Sequence, residues 1–194
     1  MVLPDGRRNQ AAEGRQNRLV RKGDTEMIKM LEPMMSEIQQ EAVITKRVLE
    51  RVPADKLAWK PHPKSMSLGQ LALHIATIPG NLSKLAQLDE FDASAANFDP
   101  PAPSNAKEIL AALDASTKAV EEYLGGVSES TAMGSWRLTS RGKEVFAIPR
   151  VGLLRTIMLN HWYHHRGQLS VYLRLLEVPV PVIYGRSADE NPFA

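Results

Sequence analysis

Apolar residues recur at spacings of three and four in four separate stretches of this chain, and each stretch predicts an amphipathic helix. The first runs from about Glu26 to Val52, with Met27, Met30, Leu31, Met34, Ile38, Ala42, Thr45, Leu49 and Val52 along one side. Pro33 is its weak point, and Pro53 ends it. The second starts behind Ser67, where Ser67 and Gln70 form a capping-box pattern, and carries Leu68, Leu71, Ile75, Ile78, Leu82 and Leu85. Pro79-Gly80 falls in its middle and is expected to kink or divide it. The third begins near Ser104, buries Ile109, Leu113, Val120 and Leu124, and stops at Gly125-Gly126. The fourth extends from about Arg150 to Val178, ahead of Pro179.

Between these patterns the period changes. Residues 53–66 and 89–103 are rich in proline or acidic residues and read as loop and linker. Ser135–Thr139 and Glu144–Ile148, flanking Arg141-Gly142-Lys143, read as a short β-hairpin, and the segment from Val180 onward as an extended tail. Long helices with modest connections predict an all-α four-helix bundle carrying one short hairpin before the last helix.

The fourth helix breaks its own pattern. Leu154, Met158, His161, His165, Gln168, Tyr172 and Leu175 follow a bundle seam, yet four of these seven side chains are polar. An imidazole on a seam loses water and needs a partner. Two imidazoles one turn apart, joined by a third from another helix, make a metal site, and His74 on the inward flank of the second helix supplies the third. His161 with His164 is an alternative pair, but His164 projects sideways, toward a neighbouring helix or a backbone carbonyl, so the seam favours His165. His62, between two prolines, is expected to be exposed. Gln168 and Tyr172 continue the line as residues that orient a ligand or contact substrate. Trp59, Trp136 and Trp162 are expected to be packing anchors, and Met27, Met30, Met34 and Met35 core filler.

Composition narrows the possibilities. The 194 residues suffice for one domain with a sizeable core, and the net charge of +2 does not suggest nucleic acid. Residues 1–24 hold six Lys/Arg against three acidic residues and no apolar stripe, which predicts a basic, disordered extension ahead of a domain covering 25–194. No apolar stretch approaches the roughly 18–20 residues of a membrane span, and no signal peptide is evident, so a cytoplasmic protein is expected. The absence of cysteine excludes disulfides, cysteine-ligated zinc and a cysteine nucleophile, so any thiol chemistry needs an external thiol.

Three pieces together resemble the DinB/YfiT-like superfamily of damage-inducible metalloenzymes, which is distinct from the similarly named DNA polymerase. They are Trp59 through Ser67 leading into Leu71-Ala72-Leu73-His74-Ile75-Ala76, His161 through Leu169, and Val178–Pro181 with Tyr184–Glu190. The likeness covers about residues 26–190. It implies a bundle of up-down-down-up type with a crossover connection, a homodimer, and zinc or nickel held by His74, His161 and His165. Relatives of this kind are thiol-dependent, among them bacillithiol transferases and, more distantly, mycothiol-dependent isomerases. The expected activity is transfer of a low-molecular-weight thiol such as bacillithiol to a small electrophile. Arg166 then either clamps a carboxylate of the thiol or forms an ion pair. A metal-dependent hydrolase and a non-catalytic, stress-associated metal-binding protein are the alternatives. Because neutral imidazole is the ligand, the sequence alone predicts that metal affinity falls as pH drops through about 6.5.

Overall fold

Residues 21–193 apart from Phe98 are described by a computed structural model, with the side chains of residues 21–30 and Ala95 left out. The expected basic arm therefore lies, up to Val20, outside the described residues, as do the side chains of Met27 and Met30.

Four long helical stretches carry the structure. Helix α1 (Arg21–Leu49) starts ahead of the expected Glu26 and runs on past Pro33. It buries Leu31, Met34, Ile38, Thr45, Val48 and Leu49. Helix α2 (Leu68–Leu85) opens with a complete capping box: the Gln70 N–H donates to Ser67 Oγ (3.2 Å) and the Ser67 N–H to Gln70 Oε1 (2.9 Å). Two helix-start donors are thereby satisfied, as the sequence pattern required.

Of the two outcomes expected at Pro79-Gly80, a kink or a division, division does not occur, and α2 is continuous. Pro79 withholds an N–H from the helix, but the next residue finds a partner outside it: Gly80 N–H donates to the Ser116 hydroxyl of the facing helix at 2.7 Å. A Cβ at position 80 would lie 3.0 Å from Ser116 Cα and Oγ, so glycine permits this close approach. The facing helix is α3 (Ala106–Gly126), capped by Asn105 rather than Ser104, with the Asn105 carboxamide oxygen accepting from the Glu108 N–H at 3.0 Å.

Two elements arise where the sequence suggested none. Strand β1 (Glu90–Asp92) lies within the expected linker, and a short helix α4 (Glu129–Met133), capped by Ser128, precedes the hairpin. The hairpin is as read: β2 (Ser135–Ser140) pairs antiparallel with β3 (Lys143–Pro149), and Arg141 and Gly142 form the turn at φ 52° and 73°. Positive φ at both central residues suits the right-handed strand twist. Strand β1 adds parallel to β2, pairing Phe91 with Leu138, to complete a three-stranded sheet.

The last helical stretch is continuous but not uniform. Helix α5 (Arg150–Gly152) leads into a π-helical segment, Leu153–Leu159, and then α6 (Asn160–Leu175). It stops short of the expected Val178. Glu177 takes φ 57°, and the N–H groups of Glu177 and Val178 donate to the Arg174 and Leu173 carbonyls, so a left-handed cap ends the helix before Pro179 acts. The wider π turn also shifts the phase of α6 relative to the residues before it. Beyond His165 the buried line is Leu169 and Leu173, while Gln168 and Leu175, expected on the seam, are exposed.

Helix α2 packs against α3, α6 and the π segment, and α1 packs against α3 and α6. Trp136 and Trp162 are 2% and 0% exposed within this core, and the Trp136 indole N–H donates to the Leu85 carbonyl, as packing anchors should. Trp59 is half-buried and meets the Tyr172 ring edge-on.

Two arginines join distant elements. Arg150 is buried, donates to the Ala86, Leu88 and Ser135 carbonyls and pairs with Asp89, which ties the end of α2 to the hairpin. Arg166 on α6 is 1% exposed and pairs with Glu41 of α1 at 2.5 Å, while donating to Thr45 Oγ1 at 3.0 Å. Breaking such a pair leaves one charge buried without compensation, at a cost of roughly 3–5 kcal/mol. Denaturant unfolding of Glu41→Ala should show a loss of that order. The half-exposed Arg47–Glu190 pair should behave differently, with Arg47→Ala costing less than about 1 kcal/mol.

Candidate metal centre

Helices α2 and α6 bring three imidazoles to one point. His161 and His165 stand one turn apart on α6, and His74 faces them from α2. His74 Nε2 and His161 Nε2 are 3.0 Å apart, and one ligand atom from each of the three residues lies within 4.8 Å of the others. The rings meet nearly edge-on in every pairing, with centroids 4.4–5.1 Å apart. Imidazole nitrogens bound to a single zinc at about 2.0–2.1 Å stand roughly 3.3 Å apart in tetrahedral geometry, so the cluster matches a metal-binding set.

Protonation supports the same fit. Burial is the main force on all three rings, disfavouring their charged forms. The neighbouring His165 and His161 rings add to this at His74, and together they lower its pKa to about 4. At His161 burial again leads, followed by His165 and His164, and the value is likewise about 4. His165 is lowered by burial, partly offset by its bond to Gln168. All three are therefore neutral near pH 7 and present lone pairs rather than positive charge.

Gln168 settles the tautomer of one ligand. Its Oε1 lies 2.7 Å from His165 Nδ1. A carboxamide oxygen only accepts, so Nδ1 carries the proton and Nε2 keeps its lone pair for an ion.

The other residues singled out in the sequence do not join the three-histidine set. The Tyr172 hydroxyl donates to the Met66 carbonyl at 3.3 Å, pinning α6 to the loop ahead of α2. Arg166 occupies the interhelical ion pair. His62 is exposed, as expected, and its Nδ1 accepts from the Lys64 N–H. His164 is exposed as well, and its ring lies against that of His165 at 4.9 Å. Among the described residues it makes no hydrogen bond to a backbone carbonyl, one of the two contacts expected of it.

Of the partners of Arg166, Glu41 is not among the residues that the sequence pattern singles out, and neither Thr45 nor Tyr184 is read there as a partner. Glu41 and Thr45 sit one turn apart on the apolar side of α1, and Tyr184 in the tail donates to Glu41 Oε2 at 3.1 Å and accepts from Arg166. A carboxylate on an apolar stripe is the signal that could have found them. Tyr163 is a further addition; its hydroxyl donates to Glu37 Oε1 at 2.8 Å, and burial raises its pKa well above the usual phenol range.

Replacing His74, His161 or His165 by Ala should each remove most of the bound metal, measured by elemental analysis of tag-free protein, whereas His62→Ala and His164→Ala should retain it. Loss on His164→Ala with retention on His165→Ala would reverse the assignment. The pH window also moves from the one expected on sequence alone. Neutral ligands bind metal without releasing protons, and His74 and His161 stay neutral until pH nears 4, so affinity should fall at a lower pH than the roughly 6.5 of an unperturbed imidazole. Stability of the metal-free protein depends on the same groups with the opposite reference. Unfolded imidazoles gain protons below about 6.5 while folded His74 and His161 resist until about 4, so its Tm should drop across that interval.

Comparison with known proteins identifies the family and the fold. The sequence model of the DinB family matches residues 27–191. The Bacillus subtilis protein YrdA is 25% identical over 164 residues, covering 84% of this chain and 93% of its own length. A DinB-like protein from Bacillus cereus shares the fold at TM-score 0.62 and 24% identity, covering 79% of this chain and 97% of that one. The DinB-like YjoA of Bacillus subtilis does so at TM-score 0.60 and 20% identity, with 79% and 99% covered. The family match takes in every element that positions the three histidines, from α1 to the tail: this chain belongs to the DinB family.

Proposed function

We propose that this protein is a metal-dependent enzyme in which His74, His161 and His165 hold a divalent ion, zinc or nickel, and a low-molecular-weight thiol of the bacillithiol kind is transferred to a small electrophile. One observation carries the reading. The three neutral imidazoles form a set of ligand atoms that includes no carboxylate, and among the described residues no fourth protein ligand joins them. A three-ligand set leaves a position for an exogenous group, whereas structural zinc sites are closed by four.

When bound, a divalent ion there supplies Lewis acidity, which favours the reactive thiolate form of a thiol near neutral pH. The chain's own part is positional. The histidines offer lone pairs without needing to lose protons, and Gln168 fixes the orientation of His165. Arg166, through Glu41, sets the rotation of α6, and Tyr172 ties the same helix to Met66. With no cysteine, the protein offers no thiol of its own to compete with the co-substrate.

The same reading takes the four long helical stretches as one up-down-down-up bundle with a crossover connection. It assembles as a homodimer and works in the cytoplasm on small molecules rather than nucleic acid. The DinB-like neighbours support the bundle, and the motif resemblance supports the dimer. Among the described residues no helix is long and apolar enough to cross a membrane. The hydrolase alternative has one observation in its favour: Asp99 lines the cavity beside His74 and offers a carboxylate.

Cobalt-substituted protein separates the readings. Adding bacillithiol, glutathione or cysteine should produce a sulfur charge-transfer band that is absent in His161→Ala. Metal-loaded protein should accelerate thiol addition to an electrophile, with a rate that changes little from pH 8 to 7, where a free thiol of pKa roughly 8.5 loses reactivity. Turnover without thiol would replace this reading by the hydrolase. Retained metal with neither band nor turnover would leave a metal-binding protein.

A further inference from the structure

Two cavities lie along one face of α2. The first, of about 280 Å³, is lined by His74, Thr77 and Asn81, with the loop of Asn97, Asp99 and Pro100 opposite. The second, of about 250 Å³, is lined by Thr77, Gly80, Asn81 and Lys84, with Ala112 and Ala115 of α3 across from them. Thr77 and Asn81 wall both, so the two form successive parts of one groove. His74, Thr77, Asn81 and Lys84 are spaced by three, four and three, which places them in a row on the helix. At 1.5 Å per residue the row extends about 15 Å from the histidine cluster to the lysine.

The packing of the fold produces this groove. The Gly80–Ser116 contact draws α2 close to α3, and small side chains from α3 leave room above it. The opposite wall is held at its base by Gln70, whose Nε2 donates to the Pro100 carbonyl at 2.9 Å while its Oε1 completes the capping box.

The chemistry of the row is graded. Its His74 end faces Asp99, a poor neighbour for an anion. The Asn81 carboxamide is exposed and has no hydrogen-bond partner among the described residues, so it is available to an amide or hydroxyl. Lys84 is exposed and makes no ion pair among the described residues. A ligand matched to this order has a metal-donor group at one end, a polar neutral middle and an anion at the far end.

We propose that the α2 groove binds the body of an elongated small molecule whose donor group sits at the histidine cluster and whose distant carboxylate pairs with Lys84. The proposal rests on the reading that the three histidines hold an ion. It does not rest on thiol chemistry.

Hydroxamates make suitable probes, because they bind zinc whether or not a thiol does. Calorimetry on the zinc-loaded full chain would compare acetohydroxamate, suberic monohydroxamate and the methyl ester of the latter. The long acid should bind about three- to fivefold more tightly than its uncharged ester, the range of an exposed ion pair. Lys84→Ala should abolish that preference while leaving acetohydroxamate affinity unchanged. Ala115→Phe, which fills the groove away from the histidines, should weaken the long probes only, with far-UV dichroism and retained zinc confirming the fold of each variant.

Equal binding of acid and ester, a preference that survives Lys84→Ala, or long-probe affinity unaffected by Ala115→Phe would overturn the proposal. Failure to retain zinc at all would overturn both the groove and the metal site. The expected hydroxamate pattern without any thiol charge-transfer band would sustain the groove and defeat only the thiol reading.

Discussion

The buried pair between Arg166 and Glu41 constrains everything around it. A guanidinium 1% exposed to solvent survives in a helical core only where its hydrogen bonds and charge are met. Glu41 supplies the charge, Thr45 and the Glu41 carbonyl supply acceptors, and the rings of Tyr163 and Tyr184 lie 5.3 and 5.1 Å from the guanidinium carbon. Few rotations of α6 meet all these demands. Arg166 adjoins His165, so the rotation that turns the arginine into α1 also presents His161 and His165 to α2. The ion pair thereby orients His161 and His165 without touching them.

The histidine cluster couples packing to acid–base chemistry. Burial gives the three rings a common environment, and the same burial opposes their protonation. A fourth protein ligand would close the set, and cationic rings would repel an ion. Among the described residues the fold supplies neither. Gln168 adds a refinement at almost no structural cost, since it is an exposed residue whose bond to His165 Nδ1 determines which nitrogen faces inward.

Much of this was legible in the sequence because it depends on local spacing. The Ser67/Gln70 box, the stripe from Leu68 to Ile78, the Arg141-Gly142 turn and the four-residue step from His161 to His165 each arise from neighbours in the chain. His74 was legible because polar residues at inward positions are costly enough to need explanation. The features that were not legible depend on distant partners. Gly80 joins α2 to α3 by donating its N–H to the Ser116 hydroxyl, a bond no local pattern reveals. The π turn at Leu153–Leu159 changes the phase of the last helix and moves Gln168 and Leu175 off the seam. Arg166 is compatible with a ligand clamp or an ion pair until Glu41 is placed across from it. Strand β1 is short and exists because β2 offers it an edge.

The separation of these partners along the chain gives the fold a temporal order. Helices α2 and α3 are successive long helices with β1 in the connection between them, and their contact closes a comparatively short loop. Tyr184 and Glu41 are 143 positions apart, and His74 and His161 are 87 apart. Long loops carry an entropic cost that must be met before their contacts repay it. While the polypeptide is being synthesised, α1 through α3 can therefore assemble with Glu41 still lacking its cation and His74 still lacking its companions. If the three histidines hold an ion, its capture by all of them is a late step of maturation, reached only after His161 and His165 have emerged.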